Sequence, residues 1–204
     1  MSETAAVVHV VDDDASFLSA ISRLLRGAGY AVRTFSSAEE FLAQVSDTPG
    51  CVVADLQMPG LSGLDLQEAL KQAGHTLPVV FLTGQGDVPT SVRAMRQGAE
   101  DFLLKHASKE DLFQTIEHAL ARDVRQRAER NRLRDLRARF ALLTPREREV
   151  LQHVVRGRLN KQIAFDLGIH ERTVKLHRTA VTTKLHVQSV AELTLLAQRA
   201  GILE

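Results

Sequence analysis

The 204 residues carry 26 Lys and Arg against 25 Asp and Glu, for a formal net charge of +1, and 44% of them are hydrophobic, the composition of an ordinary soluble globular protein. One cysteine, Cys51, excludes an internal disulfide, and its apolar surroundings point to packing rather than chemistry. No apolar run approaches the roughly 20 residues that span a bilayer. The opening Met-Ser-Glu-Thr-Ala also lacks the basic and apolar regions of a signal peptide, so a cytoplasmic protein without a membrane partner is expected.

Near-neutrality conceals an asymmetry. Residues 1–118 hold 8 Lys and Arg against 16 Asp and Glu, a net −8, whereas residues 119–204 hold 18 against 9, a net +9. An acidic half joined to a basic half points to two domains with different partners, and the basic half to a polyanion, most simply nucleic acid.

In chain order, a β-rich run over 7–11 ends abruptly in Asp12-Asp13-Asp14. Phe17, Ile21, Leu24 and Leu25 recur at helical spacing, and Gly27 and Gly29 close that helix. Residues 31–35 form a second strand, and Ser37 caps a helix with Phe41, Leu42 and Val45 inward. The third strand, 51–54, runs straight into Asp55; Met58-Pro59-Gly60 cannot continue it, so the chain turns there. A helix over about 64–72 follows. The fourth strand, 78–82, begins with Pro78, where a missing donor is tolerated. Pro89 opens the next helix, with Val92 and Met95 on its apolar face. A fifth strand spans 101–104, and a helix starts near Ser108 with Leu112, Phe113, Ile116 and Leu120 inward.

Five strands alternating with five helices specify an α/β domain with a parallel sheet covered on both faces. In the doubly wound, flavodoxin-like order 2-1-3-4-5, the ends of strands one and three lie side by side. On that order Asp12, Asp13 and Asp55 converge, with Thr83 after strand four and Lys105 after strand five. Three carboxylates in one cleft repel one another unless a cation lies between them, and hard oxygen ligands suit Mg²⁺, which favours sites shared with a phosphate. Asp55 then has the position of a nucleophile, since carboxylates form acyl phosphates. Mg²⁺, the Lys105 ammonium and the Thr83 hydroxyl would surround the incoming phosphoryl group. Taken singly, each residue has a plainer role: the Asp triplet as a helix cap, Asp55 and Thr83 as turn residues, Lys105 as a solvated charge.

The stretches VVHVVDDD, VVADLQMPGLSG, PVVFLTG and GAEDFLLK resemble the receiver domain of two-component response regulators. Gly84-Gln85-Gly86-Asp87-Val88-Pro89 with Val92, Ala94 and Met95 resembles the FixJ-type subgroup. The resemblance implies that Asp55 is the phospho-acceptor, that Asp12 and Asp13 are the acidic pair around Mg²⁺, and that the Gln57 carbonyl is a backbone ligand. Asp14 stands outside the pair unless the register slips by one residue. Thr83 and Phe102 occupy the positions of the hydroxyl and aromatic switches, although a core role for Phe102 in strand five stays open. One departure is local. The family usually has Pro after the site lysine, often with a cis bond, and here His106 follows Lys105. A cis bond before a non-proline residue costs about 2.5–4 kcal/mol, so either a trans bond with a shifted loop or a strained site is expected.

From Arg122 to Arg139 there are eight arginines against Asp123, Glu129 and Asp135, with no Pro or Gly. The fifth helix is expected to continue through this stretch, as a solvated spacer or as a short dimer seam. Beyond it, Thr144, Pro145 and Glu147 form a strong helix start, with Val150, Leu151, Val154 and Val155 apolar and Gly157 ending the helix. Asn160 starts a second helix, Gly168-Ile169-His170 makes a tight turn, a third helix runs over about 171–185, and Ser189 caps a fourth. Two helices joined by a Gly-containing turn are a helix-turn-helix.

On the third helix Val174, Val181 and Leu185 face the core, and the opposite side can enter a major groove. There Lys reads guanine acceptors and Leu or Thr touches thymine methyls. Asn160, Lys161, Thr173, Arg178 and Lys184 are placed to reach phosphates. A small helical bundle with a solvated basic face is the plain alternative. The histidines His153, His170, His177 and His186 lack metal-ligand spacing. The run from LTPREREVL to VQSVAEL is similar throughout to the LuxR-type four-helix DNA-binding domain, which implies Lys175, Leu176 and Thr179 as base-reading residues. His170 stands where that family has Ser or Thr, a poorer N-cap.

The expected organisation is a receiver over 1–120, an Arg-rich helical linker over 121–140 and an all-α helix-turn-helix domain over 141–204. The leading expectation is a transcription factor phosphorylated on Asp55 by a partner histidine kinase. Phosphorylation would promote a homodimer, through the face of the fourth helix, fifth strand and fifth helix, that binds double-stranded DNA; RNA polymerase is a further candidate partner. No turnover enzyme is expected beyond autodephosphorylation. Two rivals stand: a phosphorylation-independent DNA binder whose receiver is an interaction module, motivated by His106, and a phosphatase using the same Asp and Mg²⁺ chemistry.

Overall fold

The computed structural model describes residues 5–84 and 88–202, with backbone only for 88–91. The stretch Gln85-Gly86-Asp87, singled out above, lies outside the described residues. Two compact units divide the chain, residues 1–127 and 128–204.

Unit 1 alternates β1 (Val7–Val11), α1 (Ala15–Gly27), β2 (Ala31–Phe35), α2 (Ala38–Gln44), β3 (Gly50–Asp55), α3 (Gly63–Gln72), β4 (Val79–Thr83), α4 (Val88–Arg96), β5 (Asp101–Leu104) and the start of α5 (Lys109–Ala141). The strands form one parallel sheet in the order β2-β1-β3-β4-β5, the doubly wound topology. Strand alternation splits the core in two. Val52, Ala54, Val79 and Phe81 face one way, onto Phe41 of α2, Leu66 and Leu70 of α3 and Ala94 of α4. Val8, Val10, Cys51, Val53, Val80 and Leu82 face the other way, onto Ile21 and Leu25 of α1 and Leu112 and Ile116 of α5. Both faces being covered explains why β3 and β4 read as continuous apolar runs. Burial pushes the Cys51 thiol up to about 12, with the Asp123 charge adding to it, so this cysteine is inert.

The strand ends shift slightly from the expectation. β3 reaches from Gly50 to Asp55, so the carboxylate ends the strand itself, and β4 starts at Val79 rather than Pro78. Pro78 still takes part through its carbonyl, which accepts from Val52 N at 2.9 Å. Pro89 lies inside the first turn of α4.

Unit 2 contains the rest of α5, then α6 (Pro145–Val155), α7 (Asn160–Leu167), α8 (Glu171–Leu185) and α9 (Val190–Arg199). Phe140, Leu151, Ile163, Val174, Val181, Leu185 and Leu193 build its core. Thr144 caps α6, accepting from Glu147 N at 3.3 Å while the Glu147 carboxylate accepts from Thr144 N at 2.8 Å. α7 ends on Gly168 at φ 63°, the left-handed residue that turns the chain into α8. Among the described residues no helix is long and apolar enough to cross a membrane.

Candidate functional site

The carboxylates of the cleft at the carboxyl ends of the strands come from two neighbouring strands. β1 delivers Asp12 and Asp13, β3 delivers Asp55, and ligand oxygens of the three lie within 4.8 Å of one another. Asp14 is occupied elsewhere. Its Oδ1 accepts from Ser16 N at 2.8 Å and Phe17 N at 3.1 Å, which makes it the N-cap of α1. The capping role thus falls on one residue of the triplet and leaves the other two facing the cleft. Asp12 is 1% exposed, and its Oδ1 accepts from Asp14 N at 2.9 Å.

Lys105 supplies the positive charge. Its Nζ lies 2.6 Å from Asp12 Oδ2 and 3.0 Å from Asp55 Oδ2. Burial raises the pKa of Asp12, against the opposing pull of the Lys105 ammonium. Burial also pulls the Lys105 ammonium down, but its bonds to Asp12 and Asp55 outweigh that, and its pKa ends above the ordinary value. One ammonium against three carboxylates leaves a net negative cleft of hard oxygen donors, a donor set that fits a divalent cation of the Mg²⁺ type.

The Lys105–His106 bond is trans, as are all peptide bonds among the described residues. Lys105 reaches both carboxylates nonetheless. Lys105 N donates to Thr83 O at 2.8 Å, which continues the β4–β5 ladder one residue further, and Ala107 N donates to Leu104 O at 2.8 Å, which closes the turn. The His106 side chain is exposed. Thr83 ends β4 with its side chain buried. Phe102 is half-buried against the core on the Phe81 side of the sheet. Gln57 lies in the loop after β3, and its N–H donates to Asp55 Oδ1 at 3.4 Å.

Two contributors escape a sequence reading. The Phe17 ring, one of the apolar residues recurring along the first helix, has Lys105 Nζ 4.5 Å from its centroid, a cation–π contact that holds the ammonium over the cleft. Glu39 of α2 accepts from Leu61 N at 3.0 Å and so pins the loop that follows Asp55. Neither carries a local signal, since both depend on elements brought together by the sheet order.

On unit 2 the exposed face of α8 carries Lys175, Leu176 and Thr179. Leu176 is 64% exposed, and Lys175 Nζ lies 3.6 Å from Glu171 Oε1. Thr179 Oγ1 donates to Lys175 O at 3.1 Å. Lys161 is exposed, and Thr173 is half-buried in the first turn of α8. Arg178 Nη1 donates to Asn160 Oδ1 at 2.7 Å, so these two form one pair at the start of α7. Lys184 differs from the phosphate-reaching expectation. Its ammonium donates to both Glu147 oxygens at 2.7 and 3.0 Å and to Leu142 O at 3.3 Å, which ties α8 to the start of α6. This bond holds the Glu147 carboxyl below its usual range, helped by the Thr144 N–H. His170 caps α8 without a side-chain hydrogen bond.

Comparisons with known proteins agree with both halves. Residues 8–117 match the response regulator receiver domain, and residues 141–197 match the bacterial regulatory proteins of the luxR family. The response regulator protein TodT of Pseudomonas putida is 41% identical over 200 residues, covering 98% of this chain and 88% of its own. The transcriptional regulatory protein FixJ of Bradyrhizobium diazoefficiens is 39% identical over 201 residues, covering 98% of each chain. The solved structure of the response regulator StyR superposes with a TM-score of 0.84 at 43% identity, covering 96% of this chain and 99% of that one. With both halves matched and full-length relatives about 40% identical, the chain belongs to the FixJ-type response regulators, transcription factors that join a receiver to a LuxR-type DNA-binding domain.

Proposed function

We propose that Asp55 is the phospho-acceptor of this regulator and that its modification by a histidine kinase controls operator binding. The observation that carries the reading is the position of Asp55 Oδ2, 3.0 Å from the Lys105 ammonium and grouped with Asp12 and Asp13 at the strand ends. An Asp55 oxygen attacks phosphorus, the P–N bond of the kinase phosphohistidine breaks, and the leaving imidazole takes the electron pair and a proton. Lys105 and the Thr83 hydroxyl bind the transferred phosphoryl oxygens, and Phe102 responds from the neighbouring strand. Asp12, Asp13, Asp55 and the Gln57 carbonyl would hold Mg²⁺, which when bound supplies charge neutralisation to the carboxylates and the phosphoryl oxygens.

The modified receiver forms a homodimer, and each protomer presents Lys175, Leu176 and Thr179 of α8 to base edges. Lys161, Thr173 and the Asn160–Arg178 pair hold the phosphate backbone. Half-sites about one DNA turn apart suit such a dimer. The protein acts stoichiometrically in the cytoplasm, with no turnover beyond loss of its own phosphoryl group. Treatment with acetyl phosphate and Mg²⁺ should raise both dimer mass in sedimentation and affinity for duplex DNA. Equal affinity with and without the donor would instead support a receiver that serves only as an interaction module.

A further inference from the structure

A second polar constellation lies at the opposite rim of the sheet from the acidic cleft, on α5. Asp123 is 1% exposed and fully engaged. Its Oδ2 accepts from Gly50 N at 2.9 Å, and both its oxygens accept from Arg127 Nε at 2.8 and 2.9 Å. The Arg127 fork continues outward: Nη1 donates to the carbonyl and Oδ1 of Asp47 at 3.0 and 2.8 Å, and Nη2 donates to Thr48 O at 2.7 Å. Gly50 opens β3, and a Cβ there would stand 2.0 Å from Val7 O, so the donor facing Asp123 is fixed against β1. Next to Asp123 in the chain, Arg122 pairs with Glu100, just before β5. The Gln126 amide, oriented to satisfy both its atoms, donates to Thr76 O at 3.2 Å and accepts from Arg122 Nε at 3.0 Å. Residues 122–127 are thus fastened to the loops that enter β3, β4 and β5.

Between these ties and Leu136 and Phe140, which pack on the core of unit 2, the sequence gives the helix little other reason to persist. Residues 122–139 hold eight arginines and no continuous apolar stripe, and a polar helix of that length is marginal by itself. A flexible tether would transmit only proximity, whereas coupling needs a rigid element that both sites can bias.

We propose that Asp123 and Arg127 are an output clamp: they seat α5 on the sheet and keep residues 121–135 helical, so that the state of the cleft reaches the DNA-binding unit, while taking no part in phosphoryl transfer. The transmission half of this claim rests on the assignment of Asp55 above. Arg127 works here as a fork serving Asp123, Asp47 and Thr48 together, which a lysine cannot reproduce.

The test uses the full chain and the variants Asp123→Asn, Arg127→Ala and Arg127→Lys. Amide hydrogen exchange over residues 121–135 is read without any phosphoryl donor. Phosphoryl incorporation from acetyl phosphate with Mg²⁺ is read next. Affinity is then measured, with and without the donor, for a duplex that the wild-type chain selects from a random-sequence pool. The clamp predicts exchange at least tenfold faster in all three variants, incorporation within twofold of wild type, and a donor-dependent gain in affinity cut at least tenfold. Unchanged exchange in the unphosphorylated variants overturns the clamp whatever Asp55 does. Lost incorporation overturns it too, because the residues would then be supporting the receiver fold itself. Altered exchange with a wild-type gain in affinity contradicts transmission. A wild type that gains nothing from the donor overturns the Asp55 assignment, and transmission with it, while the exchange result still decides the helix-holding role.

Discussion

Asp12 and Asp55 share one ammonium while Asp13 adds a third carboxylate beside them, and that imbalance makes the cleft a source of repulsion that a divalent cation would relieve. Mg²⁺ should therefore raise the thermal midpoint of the wild-type protein by mass action, and Asp13→Asn should raise it without metal and remove most of the response to Mg²⁺. Scanning calorimetry with and without Mg²⁺ checks both; an unchanged response in Asp13→Asn would take that residue out of the metal site. His9 offers a second test. It lies 3% exposed between Phe35 and Phe41, and neither ring nitrogen has a hydrogen-bond partner among the described residues. Burial, with the Arg33 charge adding to it, lowers its pKa from 6.5 to about 4. Between those values the unfolded chain binds a proton that the folded chain refuses. Stability is then full above about pH 6.5 and falls by about 1.4 kcal/mol per pH unit down to about pH 4. His9→Phe should flatten that part of the urea-denaturation profile between pH 4 and 6.5, and an unchanged slope would show that other groups carry it.

At the scale of elements, the strands and caps were legible because their signals are local. Alternation of apolar runs and turns locates all five strands to within a residue, and Ser37, Thr144 and Ser189 cap the helices expected of them. Asp14 could not be told from Asp12 and Asp13 by spacing, because capping is decided by backbone geometry after Val11. Lys184 looked like one more base on a basic helix. Its partner Glu147 lies 37 positions away and was already explained by the Thr144 cap, so nothing in either stretch signalled the pair. Asp123 and Arg127 were hidden likewise among linker charges, since their partners at 47–50 come from the other end of the unit. Lys184→Met should leave the buried Glu147 carboxylate unpaired and cost the DNA-binding unit about 1–3 kcal/mol in chemical denaturation. A loss no larger than that of a surface lysine would restore Lys184 to the phosphate-facing set. His186 ends α8 at φ 54°, a left-handed conformation that suits glycine. His186→Gly should therefore stabilise the unit by about 0.5–1 kcal/mol in the same assay.

Over the whole molecule the charge divides as the functions do, with −8 on residues 1–118 and +9 on residues 119–204. The negative half brings three carboxylates together at the carboxyl ends of β1 and β3, which suits the proposed phosphoryl and cation site, and the positive half carries the LuxR-type DNA-binding domain. Phosphorylation can shift DNA binding only if the modified receiver favours the dimer-competent state by a finite free energy. The most direct measurement is operator affinity in paired titrations, with and without acetyl phosphate and Mg²⁺, for the wild type and for Asp55→Asn. Wild type should bind at least tenfold more tightly after treatment and sediment as a dimer, while Asp55→Asn stays at the untreated affinity and mass. An Asp55→Asn protein that responds like wild type would contradict the assignment of Asp55 as the switch.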